Sequence, residues 1–170
     1  MIKLFIITMK NIKGEMKMKS NKSVMLGLLI IIVVSFATGC LFYNLLEPKD
    51  FKDHFAALGY SISDTEEGKY ESKSYLVATK EDMPFKIEYY EFDNDNSAKI
   101  AYKKYEKEIP LMISTDSTNN ETSGAFMTKM VVKSEKEYII ISRVKNTLIF
   151  IQGTTEYENE INTLLDDIKY

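Results

Sequence analysis

The apolar run at residues 24–36, "VMLGLLIIIVVSF", limits what this chain can fold into more than any other feature. A stretch of that length is not expected on the surface of a water-soluble domain, and with Lys19 and Lys22 ahead of it, it reads as a segment that enters a membrane or is removed. Pro48 follows, and because proline lacks an amide donor and clashes with the preceding turn, any helix that reaches it ends there. Residues 49–170 are then left to fold in water, which is room for one core. Charge divides near the same place. Residues 1–39 carry six lysines and one acid, a net of +5, which leaves −8 for residues 40–170 of a chain whose total is −3. Nucleic-acid binding needs a cationic face that releases counterions, so no nucleic-acid partner is expected for so acidic a body.

From Met18 the chain reads "MKSNKSVMLGLLIIIVVSFATGC": Lys19 and Lys22, the apolar run, the small residues Ala37, Thr38 and Gly39, then Cys40, which is the only cysteine. A cationic start, a short apolar core and a small-residue cleavage site make a secretory signal peptide. With cysteine directly after the cleavage site, the segment resembles a bacterial lipoprotein signal, Ala37-Thr38-Gly39-Cys40 standing as its lipobox. The resemblance implies that residues 18–39 are the signal peptide and that Cys40 is the lipid-attachment site. It further implies that residues 40–48 are a tether, and that the domain is held by membrane lipid at the extracytoplasmic face of the cell membrane. A second reading stays open. Residues 24–46 are close to the ~20 residues that span a bilayer, and the lysines on their amino side fit the positive-inside rule. They would then form a single-pass anchor, with Cys40 as a small apolar residue in it. Residues 1–17 are expected to be untranslated or a cytoplasmic extension, since Lys13-Gly14-Glu15 can be encoded by a ribosome-binding-like stretch just ahead of Met18.

Periodicity predicts an α+β fold for residues 49–170. Phe51, Phe55 and Leu58 recur at helical spacing and Gly59 caps that helix; "SDTEEGKYES" after it reads as a polar loop. Strands are expected at 74–79 and 85–92, joined by "KEDMP". A second helix, capped by "DNDNS", buries Ala98, Ala101, Tyr102, Tyr105 and Ile109 and stops at Pro110. "STDSTNNETSG", residues 114–124, reads as a mobile polar loop. Three strands follow at about 125–133, 137–144 and 147–152, with residues 138–141 apolar on both faces and therefore central. The last helix opens on Thr155 and Glu158, spaced as a capping box, and buries Tyr157, Ile161, Leu164, Leu165 and Ile168. The expectation is a single five-stranded antiparallel sheet with three helices on a face, in the order αββαβββα. Helix followed by hairpin occurs twice, which suggests duplication, although the halves share no sequence pattern.

No catalytic constellation emerges, and the chain is read as a binding or accessory protein rather than an enzyme, with a protein or envelope component as its partner. His54, the sole histidine, has Asp50 one turn away and reads as an exposed residue paired with it. One cysteine and one histidine cannot build a metal cage, and no cofactor or metal is expected. "DNDNS" begins like a calcium loop, but Ala98 and Lys104 stand where glycine and glutamate are required. Glu88, Glu91 and Asp93 do not make a glycosidase pair, because strand alternation separates Glu88 from Glu91; they read as solvated charges. Arg143 is the only arginine among 22 basic residues, and its planar fork suits a carboxylate or phosphate. It is a candidate ligand contact, with an ion pair as its plainer role. Tyr75 and Tyr90 on the first hairpin are candidate partner contacts. An alternative reading is a small envelope enzyme whose site is built from acids and tyrosines in a sheet-and-helix cleft.

Overall fold

The computed structural model describes residues 45–65, 69–113 and 116–170. Cys40, the signal segment 18–39, the extension 1–17 and all but the last two residues of the alternative anchor 24–46 lie outside them. Among the described residues no helix is long and apolar enough to cross a membrane.

Helix α1 (Pro48–Ala57) starts with proline in its first turn, where the missing amide costs nothing, and buries Phe51 and Phe55 one turn apart. It ends in a Schellman cap: Gly59 adopts φ 81°, its amide donates to Ala56 O at 3.0 Å, and the Tyr60 amide donates to Phe55 O at 2.9 Å. The helix stops before Leu58, which is exposed rather than part of the buried stripe. Strands β1 (Ser61–Thr65), β2 (Ser74–Thr79) and β3 (Lys86–Glu91) follow as a meander. Helix α2 (Asp95–Met112) is capped by Asn94, whose side chain accepts from the Ser97 amide at 3.0 Å. Strands β4 (Thr118–Ser123), β5 (Met127–Lys133), β6 (Glu137–Val144) and β7 (Thr147–Thr154) form a second meander, and helix α3 (Glu158–Asp167) closes the domain.

The result is a seven-stranded antiparallel sheet in the order β1-β2-β3-β7-β6-β5-β4. The expected five strands and the order αββαβββα are therefore wrong; the chain runs αβββαββββα. β4 lies wholly, and β1 from Ser63 onward, in stretches read as polar loops, and both are sheet edges. An edge strand needs one backbone partner and no apolar face, so it carries none of the alternation that marks an inner strand. All six residues of β4 are exposed, yet it pairs with β5 from Thr118↔Lys133 to Ser123↔Thr128.

The helices also cover both faces of the sheet rather than one. Phe51 and Phe55 of α1 and Ile161 and Leu165 of α3 pack with Leu76, Ile87, Tyr89, Ile140 and Ile151 on one side. On the other, Ala98, Ala101, Tyr105 and Ile109 of α2 pack with Tyr90, Met130, Ile139, Ile141 and Phe150. Strand β6 is covered on both sides, as its apolar run requires. Two helix boundaries differ from expectation. Pro110 sits inside α2, where it costs one hydrogen bond near the last turn without ending the helix. The expected capping box does not form. Thr155 opens a short 3₁₀ turn and its hydroxyl donates to Ser134 O at 3.1 Å, while Glu158 pairs with Lys133 at 2.5 Å.

Candidate functional site

The loop from β3 into α2 is tied to the β6–β7 turn by two reciprocal bonds. The Phe92 amide donates to Asn146 O at 2.9 Å, and Asn146 Nδ2 donates to Phe92 O at 2.8 Å. The two-residue turn is tight enough to hold Lys145 at φ 52°. This clasp brings the first turn of α2 against the end of β6, and Asp95 meets Arg143 there. Arg143 Nη1 donates to Asp95 Oδ1 at 2.6 Å and to Lys145 O at 3.1 Å, and Nη2 donates to Thr128 Oγ1 at 3.3 Å. The lone arginine is thus in an ion pair, but its side chain is only 3% exposed while Asp95 is 44% exposed. Lys99 reaches the other oxygen of Asp95 at 2.7 Å. Two cations share one carboxylate, so this trio keeps one surplus positive charge.

Beside the trio, a cleft of about 510 Å³ opens between α2 and the β4–β5 hairpin. Lys99, Tyr102, Lys103 and Glu106 line its helix side, and Glu121, Thr128 and Arg143 its sheet side. Tyr102 is 5% exposed, and its hydroxyl is buried without a hydrogen-bond partner among the described residues. Burial pushes that phenol above its ordinary pKa, as do Glu121 and Glu106, while Arg143 pulls it down. Charges of both signs from both walls therefore act on the Tyr102 hydroxyl. An unpaired buried hydroxyl costs roughly 1–3 kcal/mol. Sequence periodicity places Tyr102 in the α2 core stripe, where it is. No pattern in the sequence shows that the stripe leaves its hydroxyl unsatisfied.

A second polar centre lies on the same face of the sheet and is closed. Glu88 pairs across the sheet with Val77 and Phe150 and is 2% exposed, so it is not a solvated charge. Lys86 Nζ meets its Oε1 at 2.7 Å, and the hydroxyls of Tyr90 and Tyr105 both donate to Oε2, the latter at 3.3 Å. The two hydroxyl oxygens lie 2.7 Å apart, so the single Tyr105 proton is shared between Oε2 and the Tyr90 oxygen. Tyr75 stacks on Tyr90 with ring centroids 4.7 Å apart, and Tyr70, packed edge-on against Tyr105, donates to Glu108 at 2.6 Å. Burial pushes the Glu88 carboxyl up, but the Lys86 and Tyr90 hydrogen bonds outweigh it and hold the group below the usual carboxylate range. Tyr90 and Tyr105 are raised, mainly by burial. At neutral pH this is one saturated carboxylate among neutral phenols. Such a set is poorly matched to proton transfer, which works best with groups titrating near the working pH.

The structure separates the candidate contacts. Arg143 lines the open cleft. Tyr90 is fully buried, so a partner cannot reach it, and Tyr75 is the partly buried cover over it. His54 does not pair with Asp50; it is partly buried, with Nε2 lacking a hydrogen-bond partner among the described residues. Among those residues no group of three or more histidine, cysteine or acidic side chains is placed to hold a metal ion. What fold and site define together is a three-layer α/β/α domain with an antiparallel sheet and a charged cleft beside α2. Comparison with protein-family models, with curated proteins and with solved structures finds no match to this chain.

Proposed function

We propose that the chain is an extracytoplasmic binding protein moored to the cell membrane by lipid on Cys40, and that its cleft between α2 and the β4–β5 hairpin receives a polar ligand or a partner's polar group. The observation that carries the binding reading is the buried, unpartnered Tyr102 hydroxyl in the wall of a cleft lined by charges of both signs. The mooring rests on the cationic, apolar and small-residue order that ends at Cys40. An enzyme built on acids and tyrosines is less well supported, because the acid-and-tyrosine centre at Glu88 is packed shut and its carboxylate oxygens already accept hydrogen bonds.

The test is metabolic labelling with a radioactive fatty acid, with and without globomycin, followed by fractionation. Wild type should take up label, fractionate with membranes and accumulate as an uncut precursor under globomycin. Cys40→Ala should abolish both label and cleavage. An unlabelled, uncut chain that still fractionates with membranes would favour the single-pass anchor at residues 24–46, and a chain found in the cytosol would overturn the proposal.

A further inference from the structure

We propose that the cleft between α2 and the β4–β5 hairpin is a site for a short zwitterionic peptide, its carboxylate toward Arg143 and Lys99 and its ammonium toward Glu106 and Glu121. This rests on reading that cleft as the ligand site and adds the class of ligand.

The charge is ordered along the cleft. At one end Asp95 neutralises only one of its two cations, Arg143 and Lys99. That end therefore holds a net excess of one positive charge; Lys103, which has no ion pair among the described residues, lines the cleft between Lys99 and Glu106. Toward the other end stand Glu106, near the middle of α2, and Glu121, paired across the sheet with Met130 one row beyond Thr128. Neither acid has an ion-pair partner among the described residues. A ligand of one sign would gain at one end and be repelled at the other, whereas a zwitterion gains at both.

Spacing limits its length. Lys99 and Glu106 are seven positions apart on the helix, about 10 Å of rise, and Thr128 and Met130 are about 7 Å apart along β5. An extended chain covers about 3.5 Å per residue, so a dipeptide or tripeptide matches the span. Ile100 and Ala125 also line the cleft and can meet a small side chain, and a peptide carbonyl or amide can supply the partner that the Tyr102 hydroxyl lacks.

The experiment is calorimetric titration of the full chain, kept in detergent micelles, with trialanine, N-acetyl-trialanine and trialanine amide. Free trialanine should bind one to one, and each cap should weaken binding at least about tenfold, the effect of losing one charge-assisted contact. Glu121→Gln should narrow the difference between free and acetylated peptide. Tyr102→Phe should weaken binding about tenfold while its unfolding midpoint stays level or rises, because the hydroxyl it removes has no partner in the free domain. The assignment is overturned if no peptide binds at millimolar concentration, if capped peptides bind as tightly as free ones, or if Tyr102→Phe binds like wild type. A cytosolic location would overturn the mooring and leave this result standing. Lipidated Cys40 with no peptide binding would remove only the ligand assignment.

Discussion

Glu88 shows how one residue changes character with its surroundings. In "FKIEYYEF" it reads as a polar residue on the open face of a strand, but α2 covers that face and the carboxylate ends under it with three donors. Because its folded pKa lies below the unfolded value, its contribution is present above about pH 4.5 and is lost as pH falls through the folded value. Glu88→Gln should therefore cost about 2–4 kcal/mol in urea unfolding at neutral pH, and its gap from wild type should narrow as pH drops toward about 3. Arg143 behaves differently because its partner is half exposed. Asp95→Asn leaves a buried guanidinium with one carbonyl and one threonine hydroxyl, but water can reach the vacated side. About 1–2 kcal/mol is expected, read as a lower thermal midpoint. The sequence singled out Arg143 because it is the lone arginine, and that signal led to the cleft. Tyr90 is a candidate by its chemistry and its place on the first hairpin, and its neighbours on the sheet make it core.

Elements were legible in proportion to how much of them is buried. Strands β3 and β5 carry apolar positions that a two-residue repeat reveals, β2, β6 and β7 show as short apolar runs between turns, and α2 announces itself by its cap and its stripe. β1 and β4 carry almost none, since each is paired along one side only and buries little; of β1 only Ile62 packs against the core, and β4 is exposed throughout. The same cause gives them low local stability. Native-state hydrogen exchange should find the β1 and β4 amides opening at far lower free energy than those of β6 and β7, which approach the global value; equal protection across the sheet would contradict this order. Close approach of α3 to β7 depends on Gly153, where an added Cβ would stand 2.9 Å from Ile161 Cδ1 and 3.4 Å from Phe85 Cβ. Ile161 is fully buried and has little room to yield, so Gly153→Ala should cost about 1–2 kcal/mol by denaturant unfolding.

Across the whole molecule, two helix-and-meander units, α1–β1–β2–β3 and α2–β4–β5–β6–β7, meet antiparallel at β3 and β7. A rotation that exchanges two antiparallel neighbours runs perpendicular to the sheet and keeps their helices on one face. α1 and α2 lie on opposite faces, so the repeat suggested by element order is not a rotated copy. Both ends of the described domain are pinned: Tyr89 donates its hydroxyl to Leu46 O at 2.6 Å, and Tyr170, 6% exposed, is hydrogen-bonded to the Thr147 hydroxyl. Tyr170→Ala should cost about 3 kcal/mol by thermal unfolding, although the residue belongs to no element of the sheet or helices. The layered packing also sequesters phenols: Tyr89, Tyr90, Tyr105 and Tyr170 are all raised above their ordinary pKa, chiefly by burial. In a chain with eleven tyrosines and no tryptophan, near-ultraviolet absorbance is almost entirely theirs. Made progressively alkaline past about pH 10, the solution should gain phenolate colour first from the outer rings and then abruptly, when the sheathed rings ionise together as the fold gives way.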